Sequence, residues 1–180
     1  MRLTILTFIL FLCTNLQAIA LPKCVGEDTE SWSNCIGSAV LREGITIENT
    51  GDFYEGEWIN GVPEGKGKIT LKSGGTNEGD FKFGGFHGYG TSVRPNGKKY
   101  KGEVRANRAH GQGTSYYPSG DKYVGEMVDG SRHGRGIFTY ASGNQYIGEY
   151  QTNAAHGEGT FIWADGSKYV GEFQFDNMHG

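Results

Sequence analysis

The sequence carries no strong charge of either sign: 17 Lys and Arg stand against 20 Asp and Glu, a formal net charge of −3 over 180 residues. Nucleic-acid binders present a basic face, so this balance gives that class no support. The charge is uneven, with Arg2, Lys23 and Arg42 against Glu27, Asp28, Glu30, Glu43 and Glu48 in the first 50 residues. The remaining 130 hold 14 basic and 15 acidic residues and are close to neutral. Long apolar runs are lacking beyond the first 20 residues, and no segment after residue 50 spaces its apolar positions at the 3.6-residue period of a helix. No nucleophile stands beside a base in any recognisable spacing, so the expectation is a protein that is not an enzyme.

The one apolar run lies at the start. Residues 1–20 read MRLTILTFILFLCTNLQAIA. Arg2 supplies a positive n-region, Leu3 to Cys13 an apolar core, and Ala18-Ile19-Ala20 a small-x-small cleavage site. The run falls short of the roughly 20 residues that span a bilayer. The expectation is an export signal cleaved after Ala20 and a secreted or periplasmic protein; a lipid-modified Cys13 or Cys24 is disfavoured because Leu12 and Lys23 precede them. Of three cysteines, Cys13 leaves with the signal. Cys24 and Cys35 remain as an even pair in an oxidising compartment. Two cysteines with no nearby Cys or His fall short of a four-ligand zinc set, so a disulfide stapling an N-terminal cap is expected, contributing up to about 3 kcal/mol.

What the sequence has in excess is glycine, 31 residues against an average near 7%. Ten Tyr and ten Phe argue against disorder, which is poor in aromatics. The glycines follow a repeat. Tyr54-Glu-Gly-Glu-Trp58 returns as Asn77-Glu-Gly-Asp-Phe81, Tyr100-Lys-Gly-Glu-Val104, Tyr123-Val-Gly-Glu-Met127, Tyr146-Ile-Gly-Glu-Tyr150 and Tyr169-Val-Gly-Glu-Phe173, each start 23 residues after the last. Four glycine series keep this phase, headed by Gly56, Gly65, Gly67 and Gly74, and together hold 22 of the 31. Gly44 and Gly51 extend it backwards, so Ile36 to Phe53 reads as a degenerate capping repeat.

Within one repeat Tyr146, Gly148 and Tyr150 alternate with Ile147 and Glu149, the period of a strand with aromatics on one face. Gly159, Phe161 and Trp163 mark a second strand. Asn153 to His156 is expected to bridge the two, and Ala164-Asp165-Gly166 to turn into the next repeat. Three buried rings do not offset the backbone entropy of ordering 23 residues, about 1–2 kcal/mol each, so hairpins must share faces with their neighbours. The expected fold is all-β: an elongated single-layer antiparallel sheet of tandem 23-residue hairpins, roughly 50–60 Å long at two strands per repeat.

This pattern, Y-x-G-E-aromatic followed by G-x-G, a second aromatic pair and D/N/S-G, resembles the MORN (membrane occupation and recognition nexus) repeat over residues 51–180 and weakly over 36–50. The chain then divides into a signal at 1–20, a cap at 21–50, and an array at 51–180 of five full repeats and a half. The resemblance implies a scaffold, dimerisation module or binding surface; lipid-headgroup binding has been proposed for such arrays. Departures fall in the second and third repeats. Asn77 replaces the first Tyr, Val104 and Met127 replace the fifth-position aromatic, and Ser92 and Ser115 replace an aromatic of the second strand, so packing should be poorest there.

Candidate chemistry is sparse. His87, His110, His133, His156 and His179 share one phase, but equivalent residues of successive hairpins lie roughly 10 Å apart, too far to share a metal. The acidic ladder Glu57, Asp80, Glu103, Glu126, Glu149 and Glu172 faces away from the aromatics and suits local hydrogen bonding. G-x-G recurs without a following helix, and Gly61-Val-Pro-Glu-Gly65-Lys66 is one residue short of a P-loop. No cofactor or metal is expected. Two surfaces remain. The candidate binding face is Trp58, Phe81, Tyr100, Tyr123, Tyr146, Tyr150, Trp163 and Tyr169, part of which must be core, the rest suiting a peptide, a glycan or a second copy. The candidate anion patch is Lys98, Lys99, Lys101, Arg105 and Arg108, able to meet lipid headgroups or a surface polymer. The expected function is a non-catalytic scaffold or binding protein of the cell envelope or secreted space. Its expected partners are an unknown protein, glycan or lipid, any membrane contact being peripheral, or a second copy through an open strand edge at the C-terminal half-repeat.

Overall fold

The computed structural model describes residues 20–41 and 51–179. Residues 1–19 of the export segment, residues 42–50, which include Gly44, and Gly180 lie outside them. A 3-10 turn at Thr29–Ser31 precedes β1 (Cys35–Val40). Six hairpins follow: β2–β3 (Phe53–Ile59, Val62–Thr70), β4–β5 (Thr76–Lys82, Gly85–Val93), β6–β7 (Lys99–Arg105, Arg108–Tyr116), β8–β9 (Lys122–Val128, Ser131–Thr139), β10–β11 (Gln145–Gln151, Ala154–Ile162) and β12–β13 (Lys168–Gln174, Asn177–His179). Every strand pairs antiparallel with its sequence neighbours, giving one open sheet of 13 strands in chain order. This is the all-β array of hairpins that the 23-residue period requires.

The turn within each hairpin is tighter than the four-residue link expected at Asn153 to His156, because β11 already begins at Ala154. Two residues make it, both at positive φ: Asn60 and Gly61 at 50° and 76°, Thr152 and Asn153 at 48° and 73°. Such a pair matches the right-handed twist of the flanking strands. Thr152 is β-branched and strained in that region. Thr152→Asn should therefore raise stability by roughly 0.5–1 kcal/mol, read as a higher urea midpoint at unchanged slope. Between repeats, Arg94 N–H donates to Lys98 C=O (2.8 Å) and Gly97 N–H to Arg94 C=O (2.9 Å), a three-residue turn closed by Gly97 at φ 84°.

Each of the first five hairpins also carries a bulge. In β10–β11 Gly148 faces Gly159 but Glu149 faces His156, which leaves Gly157 and Glu158 without partners on β10. Gly157 and its equivalents supply the positive φ, as at Gly134 with 54°. The acidic ladder closes these bulges. Glu103 Oε1 accepts the N–H of Gln112 (2.9 Å), Asp80 Oδ2 that of Tyr89 (2.9 Å) and Glu126 Oε1 that of Arg135 (3.2 Å). The Asp80 carboxyl is held below its ordinary value by its bond from Lys66 and then by that Tyr89 N–H.

The core is one face of the sheet. Each ladder tyrosine lies across a pair of facing glycines: a Cβ on Gly136 would sit 2.5 Å from the Tyr123 ring and one on Gly125 2.5 Å from the Gly136 backbone. Its hydroxyl donates to the carbonyl three residues on, Tyr54 to Glu57 (3.0 Å), Tyr100 to Glu103 (2.7 Å), Tyr123 to Glu126 (2.8 Å) and Tyr146 to Glu149 (2.9 Å). The ring edge meets the fifth-position aromatic of the next repeat, with centroids 5.0 Å apart for Tyr54–Phe81, 5.2 Å for Tyr123–Tyr150 and 4.8 Å for Tyr146–Phe173. The N-terminal segment closes the first end. Trp32 packs edge-on to Trp58 at 5.2 Å, the Cys24–Cys35 disulfide ties the segment to β1, and Trp58 Nε1 donates to the Gly37 carbonyl (3.0 Å).

Candidate functional site

The inner ring ladder is interrupted. Along the face, cross-strand register runs Tyr54, Ile69, Asn77, Ser92, Tyr100, Ser115, Tyr123, Phe138, Tyr146, Phe161, Tyr169. At Asn77 no tyrosine covers the Gly79–Gly90 pair. Phe86 does so from the opposite strand, and a Cβ on Gly90 would meet its Cζ at 2.5 Å. Ser92 and Ser115 flank Tyr100, and the fifth positions nearby are Val104 and Met127 instead of aromatics. Where this volume is missing a cleft of about 130 Å³ opens, floored by Phe86, Tyr100, Val104 and Met127 with Ser92 and Ser115 in its lining.

A second, outer row of rings leads to the cleft. Tyr117–Phe138, Phe138–Tyr140, Tyr140–Phe161 and Phe161–Trp163 have centroids 5.7, 4.6, 5.9 and 5.0 Å apart. Tyr140 and Trp163 are 38% and 36% exposed, whereas Phe138 is buried beneath them. Burial pushes the Tyr140 hydroxyl above its ordinary pKa, Asp176 adding to the rise and Arg132 opposing it. Cations edge this row. Lys98 Nζ lies 4.8 Å over the Tyr117 ring, and the Arg132 guanidinium 4.8 Å from Phe138 and 5.1 Å from Tyr150. Arg132 also donates to the Asn153 carbonyl. Arg94, Lys98 and Arg108 line the cleft, which has no carboxylate in its lining. The Lys98 ammonium is held below its ordinary pKa, first by burial and then by the charges of Arg132 and Arg94.

The residues singled out from sequence separate accordingly. Of the eight on the candidate binding face, Trp58, Phe81, Tyr100, Tyr123, Tyr146 and Tyr150 are buried core, because each packs on facing glycines or against a neighbouring ring. Trp163 is exposed and Tyr169 half-buried. The basic patch divides between faces. Lys99, Lys101 and Arg105 alternate with buried Tyr100, Gly102 and Val104 and so point away from the rings, Arg105 pairing with Asp129 at 3.6 Å. Lys98 and Arg108 reach the cleft. The strand period could have divided the patch, and Arg94 was visible as a departure, standing where later repeats carry Tyr117, Tyr140 and Trp163; Phe86 and Arg132 share a repeat position of no fixed type and gave no signal. The histidines open the second strands: His87 faces Asp80, His110 Nδ1 is 3.5 Å from Asp129, and His156 packs on the Phe175 ring at 5.7 Å. Among the described residues no three His, Cys, Asp or Glu side chains gather as a metal site, and no helix is long and apolar enough to cross a membrane.

A meander of hairpins, the first five bulged and each of those holding paired glycines under a tyrosine or, in the second, under Phe86, defines a tandem-repeat sheet protein with one ring-lined face. The MORN repeat model matches residues 54–76, 78–99, 100–122, 123–145, 146–168 and 169–180, and the chain belongs to the MORN repeat family. No curated protein matches the chain. Among solved structures, the TCP domain of SAS-4 (dCPAP) in complex with a proline-rich motif of Ana2 (dSTIL) of Drosophila melanogaster is similar at 12% identity, over 86% of this chain and 99% of that one, with a TM-score of 0.33. A likeness that low carries no argument about this chain.

Proposed function

We propose that the chain is a non-catalytic binding module that holds an extended partner segment along its ring-lined face, in a secreted or periplasmic setting. The observation that carries this reading is the outer ring row from Trp163 to Tyr117, exposed at Trp163 and Tyr140, half-buried at Phe161 and Tyr117 over a buried Phe138, and ending at Lys98 of the cationic cleft. Partly exposed rings in such a row suit a binding surface more than a solvated one. The Cys24–Cys35 disulfide supports the setting, since such bonds persist in oxidising compartments. A second reading has an observation of its own: Lys99 and Lys101 are exposed on the opposite face, where an anionic lipid surface or polymer could be held peripherally. Self-association through a strand edge is a third use of the same sheet.

Selection of a randomised twelve-residue peptide library on the protein tests the first reading. Enriched peptides should lose at least tenfold in affinity with Tyr140→Ala or Trp163→Ala and keep it with Tyr89→Ala or Tyr116→Ala, whose rings lie on the other face. Peptides indifferent to Tyr140 and Trp163 would count against the reading. Salt-sensitive retention on anionic vesicles, lost with Lys99→Gln and Lys101→Gln, would favour the second; a concentration-dependent dimer would favour the third.

A further inference from the structure

The cleft holds groups that the sheet does not use. Ser92 and Ser115 stand where other repeats place Ile69, Phe138 and Phe161; they are 8% and 1% exposed, and neither hydroxyl has a hydrogen-bond partner among the described residues. A buried hydroxyl left unpaired disfavours the fold, and an apolar residue here would both fill the cleft and remove the orphan. Beside them, Arg94, Lys98 and Arg108 line the same space, and among the described residues no carboxylate pairs with any of the three. Two unpaired donors and three unpaired cations thus converge on one small volume.

We propose that the cleft is a carboxylate subsite, which receives an acidic group of the partner segment, with Ser92 and Ser115 donating to its oxygens and Arg94, Lys98 and Arg108 supplying the opposite charge. The inference rests on the reading that the ring-lined face binds such a segment. The lining selects the ligand class. About 130 Å³ suits a carboxylate on a short stem, and the Phe86, Val104 and Met127 walls suit methylenes. A uronic acid ring is bulkier than a carboxylate on a methylene stem and would set hydroxyls against the apolar Phe86, Val104 and Met127 walls, Asn107 Oδ1 already accepting the Phe86 N–H at 2.7 Å. Lys98, held below its ordinary value first by burial and then by the charges of Arg132 and Arg94, gains from an anion placed beside it.

Three ten-residue peptides of glycine and proline are the probes. The first has blocked ends and one central Glu, the second Gln in its place, and the third Gln with a free C-terminal carboxylate. Each is titrated into the 15N-labelled protein, with glutarate, glucuronate and inorganic phosphate as small probes. The Glu peptide is expected to move the amide signals of Ser92, Tyr100 and Ser115 and to bind at least tenfold more tightly than the Gln peptide. That preference should fall to within twofold in Lys98→Gln and Arg94→Gln. Ser115→Ala, which removes an orphan hydroxyl and should fold at least as well, should also lower it. Equal binding by the third and first peptides keeps the carboxylate chemistry and makes a chain terminus its source. Equal binding by the Glu and Gln peptides, seen at the Tyr140 and Trp163 signals, keeps the binding face and overturns the subsite. Glucuronate or phosphate binding more tightly than glutarate also overturns it. If no peptide binds but glutarate moves the cleft signals and Lys98→Gln abolishes this, the subsite stands and the segment-binding reading falls. If nothing moves them, both fall.

Discussion

Between pH 10 and pH 12 the array is expected to unfold in one steep transition, its buried tyrosines ionising together. Burial is the first cause at each of Tyr54, Tyr100, Tyr123, Tyr146 and Tyr150, and it pushes all five hydroxyls up, Tyr100 and Tyr146 to about 12. In four of them the phenol proton is also the donor to a backbone carbonyl at the bulge. A phenolate there would face the carbonyl oxygen with no proton between them. Above the ordinary tyrosine value near 10 the unfolded chain loses these protons while the folded chain keeps them. The folded state then binds more protons, so stability is full below pH 10 and falls as pH rises towards 12. Each such tyrosine costs about 1.4 kcal/mol per pH unit across that window, and five together about 7 kcal/mol per unit. A fold stable by roughly 5–15 kcal/mol is exhausted one to two units above pH 10. Absorbance at 295 nm and far-ultraviolet circular dichroism should change together along a curve much steeper than one proton. Gradual ionisation near pH 10 with the strand signal intact would show that the rings are not closed off from water as the structure has them.

Those rings also show which parts of the fold are legible in a repeat and which are not. The 23-residue period, the turn glycines and the alternation of rings give the strands and their order, since each is a local demand made at the same place many times. The bulge is equally periodic, and its glycine, the acid that closes it and the tyrosine hydroxyl are all visible as a motif. Their purpose is not, because the bulge is a relation between two strands. Burial is lost for a similar reason. Tyr100 and Trp163 look alike as members of an aromatic stripe, yet Tyr100 lies buried over Gly102 and Gly113 while Trp163 stands exposed at the turn between repeats. The cleft is less legible still. It exists because several non-repeating choices coincide: Ser92, Ser115, Val104 and Met127 remove volume, Phe86 fills only part of it, and Arg94 and Lys98 face each other across one turn. Each looks like an isolated departure in the sequence and becomes a site only when the register brings them together.

The strongest single-site effect is expected where a glycine lies under a ring. Gly136→Ala places a methyl 2.5 Å from Cε2 and Oη of Tyr123. The ring cannot yield: it is fully buried, with the Tyr150 ring edge-on and the two centroids 5.2 Å apart, and the Gly125 backbone below. Overpacking of this kind costs about 1–3 kcal/mol. Tilting the ring also breaks its bond to the Glu126 carbonyl, about another 1 kcal/mol. A total of about 2–4 kcal/mol corresponds to a fall in Tm of roughly 5–15 °C for a chain of this length. Because the clash is with one side chain, it should vanish when that side chain is removed. In a Tyr123→Ala background Gly136→Ala should cost under about 0.5 kcal/mol, a coupling well outside additivity. The second repeat separates this account from a general intolerance of the motif glycines. There the ring over the glycine comes from Phe86, on the opposite strand from the usual tyrosine position at Asn77. Gly90→Ala should therefore couple to Phe86→Ala, with a residual cost because its methyl also meets the Glu78 carbonyl at 2.6 Å, and be indifferent to Asn77→Ala. Coupling to Asn77 instead would mean that Phe86 does not stand in for the missing tyrosine, and that the cleft beside it is shaped by something else.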